Sequence, residues 1–172
     1  MRLFTALQLD ESIKNALIAA QNELRQRGFK GRYTDIMNMH FTLAFIGEFS
    51  DPNVILDAME QVQFEPFTLT LGGYIDNFGD LLWAGVEKNS QLEKTVKQLR
   101  HLLAENRIPF DRKRFSPHIT LLRNAKGNRG FSDFEVGKAA MTIRNISLMR
   151  SDFGKHGVVY TEIGRIESNN LR

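Results

Sequence analysis

The chain has 172 residues, of which 42% are hydrophobic and 25% charged, and a formal net charge of +3. That balance predicts one ordinary folded domain over residues 1–172, and excludes a disordered chain and a protein built to coat nucleic acid by charge alone. With no cysteine, disulfides, thiol nucleophiles and thiolate zinc sites are excluded, and a reducing, cytoplasmic location is expected.

The apolar opening Leu3–Leu9 predicts a strand. Asp10-Glu11 interrupts it, so it lacks the length of a signal-peptide core, and no later run approaches the ~20 apolar residues of a membrane helix. Asp10 or Ser12 caps a helix to about Arg27, with Ile13, Ala16, Leu17, Ala20 and Leu24 as its buried stripe and Gly28 as its stop. Residues 29–37 form a connection or short strand, and His40 to Gly47 the next strand. Ser50-Asp51-Pro52 starts a short helix through Val62.

Phe67–Leu71 and Leu82–Val86 alternate at period two and read as an antiparallel pair, with Gly72-Gly73 and residues 77–80 as turn or bulge chemistry. A second long helix spans about Gln91–Arg107, and carries His101 on its surface or core edge. The basic run Arg112–Arg114 is either a solvated loop or a rim that attracts phosphate. The strand at His118 leads to an exposed loop over 124–130, where Lys126–Arg129 form a second basic stretch. Met141–Asp152 and Val158–Ile166 read as two closing strands, joined by a turn that holds His156, and Ser168–Arg172 as a disordered tail. The sum is α+β.

Two of these strands repeat one another. His40-Phe41-Thr42-Leu43-Ala44-Phe45-Ile46-Gly47 returns 78 residues later (118 − 40) as His118-Ile119-Thr120-Leu121-Leu122-Arg123. Residues two apart on a strand share a face, so each copy presents one imidazole and one hydroxyl side by side. A single copy is explained by a hydrogen-bonded core histidine and an ordinary strand threonine. Two matching copies in a chain of four histidines point to a cleft. There, one neutral imidazole takes a proton from water and a protonated one gives a proton to a leaving oxygen. Threonine hydroxyls suit the oxygens of a phosphate held between them.

These motifs, with Ser-Pro before the second and the opening Arg2–Leu7, resemble the two-histidine (2H) phosphoesterase superfamily. Within it they are most similar to the RNA 2′,3′-cyclic phosphodiesterases, historically called 2′-5′ RNA ligases. The resemblance implies a bilobal fold, with two antiparallel sheets flanking a cleft in pseudo-two-fold symmetry, helices outside, and the first and last strands in one lobe. It implies hydrolysis of 2′,3′-cyclic phosphate ends of RNA or small nucleotides to 2′-phosphates, with no cofactor and no metal. His118 is expected as proton acceptor and His40 as proton donor, an order the residues alone leave open. Thr42 and Thr120 are expected on the phosphate. The resemblance adds Arg123 as an anion clamp and Phe45 as a base platform.

Parity opposes the last two. Each stands five residues beyond its histidine, so a regular strand turns it away from the cleft and only a bulge brings it back. Two other readings stay open: ligation in the same site, and a nucleotide-binding module without turnover. A metal site finds no third ligand near the motif histidines, since Asp35 and Glu48 fall outside the motif strands. A monomer with no membrane partner is expected.

Overall fold

The computed structural model describes residues 1–127 and 130–169. In chain order its elements are β1 (Arg2–Gln8), α1 (Glu11–Gln26), β2 (Lys30–Tyr33), a 3-10 turn (Ile36–Asn38) and β3 (His40–Glu48). Then come α2 (Pro52–Met59), β4 (Phe67–Phe78), β5 (Leu81–Val86), α3 (Ser90–Glu105), β6 (Ile119–Lys126), β7 (Ala140–Ile143), β8 (Asn145–Gly154) and β9 (Gly157–Glu167).

Side chains at each helix start define the boundaries. The carboxylates of Asp10 and Asp51 and the amide oxygen of Asn89 accept from the backbone N–H of Ile13, Asn53 and Leu92. Each satisfies one of the N–H groups that a first turn leaves without a partner. The Asn89 cap moves the start of α3 one residue ahead of the expected Gln91. No helix among the described residues is long and apolar enough to cross a membrane.

Two antiparallel sheets result, one in the order β3-β1-β8-β9 and the other β2-β6-β5-β4-β7. The first strand pairs with β8, so the two chain ends share a sheet. Helix α1 packs on the β6 and β7 side, while α3 lies against β3 and β4, and α2 against α3 and β9. One hydrophobic cluster runs through both halves, from Leu3, Leu7 and Phe41 to Leu99, Leu121 and Ile166.

Three expectations need correction. The predicted single strand over 141–152 is two strands in different sheets: β7 pairs with β4, and β8 with β1 and β9. The apolar phase shifts at the polar pair Arg144-Asn145, from Met141 and Ile143 to Ile146 and Leu148, and that shift marks the break. Second, the strand expected over Phe67–Leu71 runs on to Phe78, because Gly72-Gly73 take the bulge of the two expected forms. Gly73 there has φ +82 and its carbonyl accepts from Val136 N, and the hairpin comes later, at Gly79-Asp80. Third, the expected loop after the second motif begins late, because β6 continues to Lys126. Asn128 and Arg129 of that basic stretch lie outside the described residues. So do Asn170, Leu171 and Arg172 of the expected tail, whose first residues are held: Ser168 N donates to Arg144 O and Asn169 N to Phe64 O.

Candidate active site

The first motif opens β3, in one sheet, and the second leads into β6, in the other. Both face a cavity of about 210 Å³. His40, Thr42, Phe45, His118, Thr120 and Arg123 all line it, with Arg2, Phe4, Thr34, Asn38, Ser151 and Tyr160. No carboxylate belongs to that lining.

The two imidazoles are held alike. His40 Nδ1 donates to Asn38 O and His118 Nδ1 to Ser116 O, each at 2.7 Å and each two residues back. A carbonyl can only accept, so Nδ1 carries the proton and each neutral ring keeps its lone pair on Nε2, away from the backbone. Asn38 is itself anchored, its amide donating to Val158 O at 2.9 Å. Aromatic rings fix the planes. His40 lies 4.7 Å from the Phe4 ring and 4.9 Å from Tyr160. His118 stands 5.2 Å from Phe78 and 5.9 Å from Trp83.

Burial pushes the His40 imidazole down to about 4; the Asn38 carbonyl opposes the fall, and the positive charges of Arg123 and His118 add to it. His40 is therefore neutral at neutral pH.

The parity problem has a structural answer, and the same one in both strands. Opposite β1, Ala6 pairs with Thr42 and Thr5 with Ala44, so Leu43 is left over. Opposite β5, Trp83 pairs with Thr120 and Leu82 with Leu122, so Leu121 is left over. Each bulge falls three residues after its histidine. Leu43 and Ala44, like Leu121 and Leu122, are consecutive and both buried. The extra residue reverses the alternation, and the fifth position returns to the cleft.

A bulge also leaves a carbonyl without its ladder partner. Leu121 O accepts from Gln21 Nε2 of α1 at 3.0 Å, and from Thr34 N at 3.0 Å. Leu43 O accepts from Arg100 of α3, through Nε at 3.2 Å and Nη2 at 3.0 Å. Gln21 and Arg100 are each the eleventh residue of their helix, so the repeat covers helix, support, bulge and ligand position. Arg100 also donates to Lys113 O at 2.8 Å, and Asp111 N to Phe45 O at 2.8 Å. The connection before the second motif is thus stitched to the first.

Of the other residues singled out, His101 is exposed and paired with Glu105 at 3.1 Å. His156 sits exposed in the β8–β9 turn. Neither lines the cavity, and nor do Arg112, Lys113, Arg114 or Lys126. Among the described residues, no three His, Asp or Glu side chains are grouped to hold a metal ion. The sequence reading missed Arg2, Phe4, Thr34, Asn38, Ser151 and Tyr160. Arg2 and Phe4 had a signal, since they alternate in the opening strand; the rest are brought in by long-range pairing.

This geometry has relatives. The family model described as the 2′-5′ RNA ligase superfamily matches residues 10–155. The RNA 2′,3′-cyclic phosphodiesterase of Thermotoga maritima is 31% identical over 135 residues, covering 72% of this chain and 70% of that protein. The enzyme of the same name from Methanothermobacter thermautotrophicus is 26% identical, covering 95% of this chain and 96% of its own. Among solved structures, E. coli LigT complexed with 3′-AMP superposes with a TM-score of 0.85 at 26% identity, over 98% of each chain. By motif, fold and matched length, this chain belongs to the 2′-5′ RNA ligase superfamily.

Proposed function

We propose that the chain is an RNA 2′,3′-cyclic phosphodiesterase whose proton transfers are made by His40 and His118. One observation carries the assignment: two imidazoles with matched Nδ1 anchors and matched threonines face one cavity from two different sheets. In-line displacement needs its base and its acid on opposite sides of phosphorus.

The water proton goes to His118 Nε2 as the water oxygen bonds to phosphorus. The P–O3′ bond breaks, and O3′ takes the proton from His40, leaving a 2′-phosphate. Thr42, Thr120 and Arg123 hold the non-bridging oxygens, and Phe45 carries the base. A donor at His40 must first be protonated. A bound phosphate brings negative charge beside the imidazole, and so raises it from its value of about 4. Ligation is the same chemistry with a ribose hydroxyl in place of water, and hydrolysis is its downhill direction in water.

Residues 1–172 act as one bilobal unit, consistent with a core continuous across both sheets. One chain supplies the whole cleft, which suits a monomer, and a chain without cysteine suits the cytoplasm. The partner is an RNA end or a small nucleotide; LigT structures with 3′-AMP, ATP and NADP+ support a nucleotide in this cleft.

The test is turnover of a 2′,3′-cyclic nucleotide in strong chelator. A 2′-phosphate product is expected, with kcat lower by about 10²–10⁴-fold in both His40→Ala and His118→Ala. A 3′-phosphate product, or full activity in either variant, refutes the mechanism. Arg123→Ala raises the dissociation constant for phosphate. A His40 resonance that stays near its empty-site titration when inorganic phosphate is bound exchanges the two roles.

A further inference from the structure

The cavity holds more positive charge than its reaction needs. A cyclic phosphate carries one negative charge. Arg123 and one protonated histidine already answer it, and the lining offers no carboxylate to occupy a second guanidinium. Yet Arg2 is there. Its Cζ lies 5.1 Å from the centre of the Phe45 ring, and no ion pair holds it among the described residues.

Its neighbours make this more than a stray charge. Arg2 stands opposite Ser151 on β8, and Ser151 opposite Tyr160 on β9. All three line the cavity. The backbones of Arg2, Ser151 and Tyr160 thus stand in one row across three strands, about 10 Å wide at the usual strand spacing, and the Tyr160 ring leans from that row to within 4.9 Å of His40. Among the described residues none of the three side chains makes a hydrogen bond.

Its distance from the reacting phosphate follows from the register. Arg2 pairs with Glu48 and Thr42 with Ala6, four residues along β1, but the guanidinium leans back over Phe45, which pairs with Phe4, two residues from Ala6. Two residues along a strand are about 7 Å, which is one nucleotide step in an extended chain.

We propose that Arg2, Ser151 and Tyr160 form a second anion subsite. It takes the phosphate on the 5′ side of the nucleotide whose cyclic end is cut. The preferred substrate is then an RNA end, or a nucleotide carrying a 5′-phosphate, over a nucleoside cyclic phosphate with a free 5′-hydroxyl. The inference rests on the phosphodiesterase reading above. The charge-assisted bonds are made to the bound substrate.

The experiment compares kcat/KM for adenosine 2′,3′-cyclic phosphate with and without a 5′-phosphate, and for a dinucleotide ending in the same cyclic group. Wild type is expected to favour the two substrates with the extra phosphate by about 10- to 100-fold. In Arg2→Gln the ratio falls toward one, Arg2→Lys keeps part of it, and Ser151→Ala and Tyr160→Phe lower it by smaller factors. The ratio is taken within each protein, so loss of folded material cancels. A wild-type ratio of one, or an unchanged ratio in Arg2→Gln, overturns the subsite. So does an equal loss on both substrates, which assigns Arg2 to the base platform with Phe45. Turnover of none of the substrates refutes the phosphodiesterase reading and removes this subsite with it.

Discussion

Lowering the pH should cost this protein stability through His40, and replacing that one side chain should remove the cost. The unfolded chain gives the imidazole its ordinary value of 6.5; the folded protein holds it at about 4, chiefly by burial. Between those values the unfolded chain binds more protons than the folded one. Stability therefore rises with pH, and is lost as pH falls through 6.5 toward 4. The full loss is about 3 kcal/mol. From pH 7 to pH 5, where carboxylates contribute little, the share is about 2 kcal/mol. With a urea m-value of about 2 kcal/mol per molar, the wild-type midpoint should drop by about 1 M more than that of His40→Gln over the same range. Subtracting the variant removes what the other three histidines contribute. Midpoints that run parallel in the two proteins would refute the reasoning, because a histidine that titrates freely in the fold leaves no such difference.

The supports behind the two bulges should separate in function. Arg100→Leu removes both side-chain donors to Leu43 O, and Gln21→Leu removes the Nε2 donor shared by Thr34 O and Leu121 O, which keeps Thr34 N; each should cost about 1–3 kcal/mol in urea unfolding. Gln21→Leu should then weaken binding of inorganic phosphate, because its bulge aims Arg123. Arg100→Leu should weaken nucleotide binding more than phosphate binding, because its bulge aims Phe45. Equal effects of both variants on both ligands would count against the pairing. Gly31 has φ +147, and a Cβ there would lie 2.6 Å from Arg123 O and 2.8 Å from Asn124 O. Gly31→Ala should therefore destabilise the β2–β6 edge and raise the phosphate dissociation constant, as titration calorimetry would report; unchanged phosphate affinity would show that the edge does not set Arg123.

The chemistry of this site was readable because it is local. His40 and Thr42, and His118 and Thr120, are two residues apart, and strand alternation alone puts each pair on one face. The helices were equally local, their stripes and caps lying within a turn or two. The fifth position was different. A regular strand sends Phe45 and Arg123 the wrong way, and the correction is made by residues far off: the β1 and β5 registers create the bulges, and Gln21 and Arg100 satisfy the exposed carbonyls. The same distance hid Ser151, which reaches the cleft by pairing with Arg2, and Tyr160, which pairs in turn with Ser151. The break at Arg144 had a local trace, the polar pair Arg144-Asn145 where the apolar phase shifts, but the change of partner strand from β4 to β1 is long-range. Gly72-Gly73 left turn and bulge both open for a related reason: glycine marks a backbone departure, and a bulge inside a strand uses it as readily as a turn.

The two bulged strands are near copies in frame but not in what they carry at the fifth position. A cleft with perfect two-fold symmetry would accept a nucleotide either way round, and its histidines would be interchangeable. Here one frame ends in a phenyl ring and the other in a guanidinium. On the proposed roles, a base on Phe45 with its phosphate at Arg123 enters in a single direction, and that direction decides which histidine faces the departing oxygen. The division of labour between the two imidazoles is then set from outside them as well, at the fifth position, where the repeat carries Phe45 in one copy and Arg123 in the other.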